Sequence, residues 1–113
     1  YVSYAYNAPK VYEAIMSQAG SSAPTVTVLQ NDLSGPIVWT RPAPGQYDGT
    51  LSGAFTANKV ARLFTSGYDS NSTYFFSVPH ISANVVQIIT SDDTGSLSDD
   101  LILGATIRIT VYP

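Results

Sequence analysis

A chain of 113 residues has the length of one domain, and a domain of that size buries roughly two-thirds of the surface its unfolded chain exposes. Charged residues make up only 12% of it, against a usual ~25%, and fourteen Ser and eleven Thr stand in their place, as suits the polar face of a sheet. Five scattered basic residues at net charge −3 argue against nucleic acid as a partner, the absence of Cys removes disulfides and thiolate metal sites, and no apolar run approaches the ~18 residues of a membrane helix.

The N-terminal YVSYAYNAP lacks the charged start and apolar middle of a signal sequence, and a first residue other than Met is expected of a chain trimmed or cut from something longer. The segment 10-KVYEAIMSQA-19 reads two ways. As a helix it gathers Val11, Ala14, Ile15 and Gln18 on one stripe; as a strand it alternates Tyr12, Ala14 and Met16 with Val11, Glu13 and Ile15. Its β-rich surroundings favour the strand. In 25-TVTVLQN-31, Val26 and Val28 alternate with Thr25 and Thr27, and in 37-IVWTR-41, Ile37 and Trp39 share a face. The following 42-PAPGQ-46 is expected to be a rigid surface loop, because proline fixes φ and lacks an N–H.

Further strands are expected in 55-FTANKVARLFTS-66, in 74-YFFSVPHI-81, in 85-VVQIIT-90 and in 106-TIRITVY-112. The third of these is apolar on both faces, as a central strand is. Turn signals recur between the segments. The whole of 1–113 is therefore expected to form one all-β domain, an antiparallel β-sandwich of jelly-roll or immunoglobulin-like kind with about seven or eight strands.

The phrases 10-KVYEAIMSQAG-20, 23-APTVTVLQNDLSGPIVWTR-41, 45-GQYDGTLSGAFTANK-59 and 106-TIRITVYP-113 resemble a group of short, uncharacterised all-β proteins associated with bacteriophages, phage-like regions of Bacteroidota genomes and environmental sequences. The resemblance spans most of the chain and contains no catalytic signature. It implies a phage-associated origin, with a virion or extracellular location, and carries over no functional residues.

Half of the eight acidic residues fall in 91-SDDTGSLSDD-100. The stretch lacks the order of ligands and the helices of a helix–loop–helix calcium site. Asp92, Asp93, Asp99 and Asp100 would form a looser Ca²⁺ site if a hairpin brought them together. The simpler reading is a solvated turn between antiparallel strands 85–90 and 101–112, its Asp and Ser side chains bonded to local N–H groups. No cofactor is expected otherwise.

A catalytic centre is not expected. Glu13 is the single glutamate, His80 the single histidine, and no Gly-x-Ser-x-Gly elbow occurs. Aromatic residues carry the best binding signal. Trp39, Tyr47, Tyr4 and Tyr6 are the candidates for stacking on a glycan or host-surface ligand, although the alternation of Trp39 with Ile37 favours its burial. Tyr1, Tyr4, Tyr6 and Tyr12 also suit an interface. With few charges to blunt sheet edges, self-association is expected, and the phage resemblance points to a trimer. Three functions rank in order: a non-enzymatic structural or assembly component, a carbohydrate- or host-surface-binding module, and a small hydrolase built on His80 or Glu13.

Overall fold

A computed structural model describes residues 8–65 and 74–113. Nine strands form within them: β1 (Lys10–Ser17), β2 (Thr25–Asn31), β3 (Val38–Ala43), β4 (Gln46–Thr50), β5 (Val60–Phe64), β6 (Phe75–Ser77), β7 (His80–Ser82), β8 (Val85–Ser91) and β9 (Ala105–Val111). No helix occurs among the described residues. One sheet has the order β2-β1-β9-β5; the other has β3-β4-β8-β6, with β7 also pairing β8. All pairings are antiparallel. The inner faces of the two sheets share one core, which makes the domain an all-β sandwich.

Period-two alternation decides which side chains enter that core. In β1, Tyr12, Ala14 and Met16 are buried while Val11, Glu13 and Ile15 are half-buried, so the ambiguous first segment is a strand. Flanked by β2 and β9, it has ladder partners on both sides, which a lone amphipathic helix would not need. The other sheet contributes Trp39 from β3, Tyr47 from β4, and Val86 and Ile88 from β8. Across the gap, Trp39 Nε1 donates to the Tyr12 hydroxyl at 3.2 Å, satisfying the indole N–H inside the core. Gly49, paired with Trp39 in the ladder, leaves room for its ring: a Cβ there would stand 2.8 Å from the indole.

Four expectations need correction. The 42-PAPGQ-46 segment is a hairpin rather than a loop: β3 runs to Ala43, β4 starts at Gln46, and Ala43 pairs Gln46 across Pro44-Gly45. The register shifts between Thr40 and Ala43, so Pro42 lies on an edge strand at an irregularity, where its missing N–H leaves no ladder partner unsatisfied. Among the described residues of the 55–66 segment, strand forms only over β5, after a turn in which Asn58 takes φ 65°. The 74–81 segment is split by Val78-Pro79 into β6 and β7. That split, together with β4, brings the strands to nine.

The largest correction concerns 85–90 and 101–112. They do not form a hairpin. β8 pairs β4 on one side and β6 and β7 on the other, whereas β9 lies between β1 and β5 in the opposite sheet. The acidic stretch between them therefore crosses from one sheet to the other.

Candidate functional site

The crossover opens with a tight turn. Asp92 Oδ1 accepts from Thr94 N at 2.9 Å, from Thr94 Oγ1 at 2.6 Å and from Ser96 N at 3.0 Å. These donors hold its carboxyl below the ordinary carboxylate range, the Thr94 hydroxyl contributing most. Asp93 is exposed beside it.

Seven residues on, the chain turns inward. Asp99 meets Arg41 in a bidentate pair, with Nη2 to Oδ2 at 2.6 Å and Nε to Oδ1 at 3.0 Å. Its Oδ1 also accepts from Gly45 N at 3.1 Å and lies 2.7 Å from the Tyr47 hydroxyl. The Tyr47 hydroxyl is 2.9 Å from Gln18 Oε1, which accepts Asp100 N at 2.9 Å as well. The Gln18 amide nitrogen, buried at the end of β1, donates to the carbonyls of Gly20 and Ser22. Asp100, in the left-handed region at φ 65°, turns the other way and accepts from Gly20 N at 2.6 Å.

This polar knot ties the β3–β4 hairpin, the end of β1 and the crossover together. Both Asp99 oxygens are occupied by donors, and the Arg41 guanidinium holds its carboxyl far below the usual range. Such a carboxylate is a poor proton acceptor. Burial, then the neighbouring Asp99, pushes the Tyr47 phenol well above its ordinary value. The arrangement is suited to fastening strands.

Three of the four carboxylates proposed for a cation therefore serve different partners, a local turn for Asp92, the hairpin for Asp99 and the β1–β2 turn for Asp100, while Asp93 is exposed. Among the described residues, no three His, Asp or Glu side chains come together as a ligand set for a metal. His80 Nε2 sits 2.7 Å from the Phe55 carbonyl, bridging β7 to the turn before β5.

Of the stacking candidates, Trp39 and Tyr47 are enclosed in the core and present no ring face to solvent. The reason is the strand alternation that aims both inward. Tyr4 and Tyr6, with Tyr1, lie outside the described residues. Tyr12, read as an interface residue, is fully buried.

Two other features escaped the sequence reading. A cleft of about 540 Å³ opens where β1 begins and β9 ends, with Lys10, Leu33, Gly53, Thr56 and the half-exposed Tyr112 around it. Its lining comes from four separate stretches of chain, so no local motif announces it. The second feature is the edge strand β2, exposed along nearly its whole length. Comparison with family models, curated proteins and solved structures finds no match to this chain.

Proposed function

We propose that this domain is a non-enzymatic structural or assembly component that associates with copies of itself, in a virion where the phage resemblance applies. One observation carries the reading: the placement of exposed apolar side chains. Of ten exposed large apolar side chains among the described residues, seven (Val28, Leu29, Val38, Leu63, Phe75, Phe76 and Ile81, between 42% and 65% exposed) lie on the outermost strands β2, β3, β5, β6 and β7; Leu97, Leu103 and Tyr112 lie outside the strands. Apolar side chains left in water around the margins of both sheets suit contact with another protein surface. The groups that would otherwise suit chemistry, Asp99, Tyr47 and His80, are engaged in holding the fold. Light scattering coupled to size exclusion tests the proposal over a concentration series. Mass rising above that of one chain supports it, and one-chain mass up to high micromolar concentration ends it.

A glycan- or host-surface-binding module is the second reading, supported by the cleft that sets Lys10 beside the half-exposed ring of Tyr112. A phenol face stacks on sugar C–H groups while an ammonium binds their hydroxyls or an acidic substituent. Burial of Trp39 and Tyr47 weighs against it. A glycan array probed with the wild type and with Tyr112→Ala separates the two: binding lost in the variant favours the module, silence from both leaves the structural reading in place.

A further inference from the structure

We infer that β2 is the strand through which two copies of this chain join, pairing antiparallel about a two-fold axis so that their β2-β1-β9-β5 sheets become one continuous sheet. The inference rests on the self-association proposed above and names its surface.

Among the described residues, the four sheet edges differ in how they are protected. β3 carries Arg41 and Pro42 and an irregular register. β5 carries Arg62, whose guanidinium reaches Val78 O at 2.6 Å and Val60 O at 2.8 Å. β6 and β7 are three residues each, separated by Val78-Pro79. Charge, proline and shortness are the devices that blunt an edge. β2, TVTVLQN, is seven residues long and has neither charge nor proline. Its single irregularity is a bulge: Gln30 pairs Glu13 and Val28 pairs Ala14, leaving Leu29 as the extra residue, 57% exposed.

β2 also overhangs the sandwich. Val28 and Val26 pair Ala14 and Met16, so they share the inward face of the first sheet, yet Val28 is 48% exposed while Ala14 and Met16 are fully buried. A core-facing valine left half in water is what a second copy would cover.

Geometry restricts the register. About an axis perpendicular to the sheet, residues opposite one another point to the same face, so the two sequence numbers of a pair must sum to an even value. An axis through Thr27 sets Val26 against Val28 of the second copy on the inner face, and Thr27 against Thr27 on the outer one. Both are favourable cross-strand pairs. The next charge along the chain, Asp32, is already bonded to Val11 N and Gln30 Nε2. In this register the two Asp32 carboxylates stand ten residue steps apart, on the order of 30 Å, well beyond a ~10 Å screening length. No like charges oppose each other anywhere along the pairing. A two-fold joint makes the dimer the minimal assembly, in place of the trimer suggested by the phage resemblance.

The test uses the full chain, its lack of cysteine, and sedimentation equilibrium. Thr27→Lys places two ammonium groups face to face and is expected to weaken self-association roughly tenfold or more, with thermal unfolding little changed. Leu63→Lys on the β5 edge is expected to leave it unaltered. Thr27→Cys under mild oxidation is expected to give a covalent dimer, Leu63→Cys monomer. Self-association that survives Thr27→Lys, with no disulfide from Thr27→Cys, or a trimer of wild type, overturns the β2 joint and leaves the assembly reading standing. A wild type that stays monomeric at several hundred micromolar overturns both.

Discussion

Asp99 and Arg41, 58 residues apart in the chain, form a bidentate ion pair at 2.6 Å between the crossover and the β3–β4 hairpin, each side chain less than one-fifth exposed. The same carboxylate collects Gly45 N and the Tyr47 hydroxyl, so one side chain terminates three donors from a single hairpin. Replacing Asp99 by Ala leaves the Arg41 guanidinium and Gly45 N without this acceptor, while the Tyr47 hydroxyl keeps Gln18 Oε1. The expected loss is about 2 kcal/mol of unfolding free energy, since hydrogen bonds to charged groups contribute ~1.5–3 kcal/mol and the pair is partly wet. Urea denaturation measures it; an unchanged midpoint would show that water replaces the carboxylate without cost.

Acid should act through the same residue. Asp99 and Asp92 both have folded pKa values below their unfolded ones. Below about pH 4 the unfolded chain takes up protons that the native chain refuses, so stability present above that pH is lost as pH falls through the folded values. Thermal unfolding followed from pH 7 to 2 should decline below about pH 4. Asp99→Asn, less stable at neutral pH, should show a shallower decline; a parallel decline would place the acid sensitivity elsewhere.

At the alkaline end the sign reverses. Tyr47 and Tyr12 have folded pKa values above the unfolded one, chiefly because burial disfavours the phenolate. Above about pH 10 the unfolded chain loses protons that the native chain keeps, so stability present below that pH is lost as pH rises. Ultraviolet titration should find both phenols silent until the chain unfolds. Phenolate absorbance from the full complement of tyrosines in a still-folded sample would contradict their burial.

Gly45 and Gly20 offer a matched comparison. Both take positive φ, 67° and 59°. A Cβ at Gly20 meets nothing within 4 Å, whereas at Gly45 it would collide with the Thr90 carbonyl and stand 2.7 Å from Ser98 N. Gly20→Ala should cost about 1 kcal/mol for the left-handed backbone alone. Gly45→Ala should cost at least about twice that, because Thr90 is held by the Gly45 carbonyl and Thr90 and Ser98 are bonded to each other, so neither can easily give way. Equal losses in thermal melts would mean the crossover yields freely at this point.

Trp39 is the single tryptophan and is 7% exposed. Its emission should be blue-shifted, shielded from acrylamide, and should move red on unfolding. Trp39→Phe removes the donor to the Tyr12 hydroxyl and opens space over Gly49, for an expected loss of about 2 kcal/mol. Strong quenching by acrylamide in the native state would place the ring at the surface.

Strand identity and facing were written locally. The alternation of Tyr12, Ala14 and Met16 with Val11, Glu13 and Ile15, or of Ile107 and Ile109 with Arg108, needs nothing beyond the two-residue repeat of an extended chain, and the structure uses both as they read. The sandwich class follows from many such segments. What no local pattern contains is the choice of neighbour. β8 and β9 read as a hairpin because they are adjacent in sequence with turn residues between, yet each found partners elsewhere, where burying Val86 and Ile88 against one sheet and Ile107 and Ile109 against the other closes a common core. That choice, made by the whole chain at once, carried 91-SDDTGSLSDD-100 across the sandwich and set Asp99 on Arg41 and Tyr47. Tyr47, in the polar phrase 46-QYDG-49, gave no apolar signal of its own; it is buried because pairing with β8 turns it inward. Alternation is a property of two or three residues, whereas partnership is a property of the minimum in the free energy of all of them.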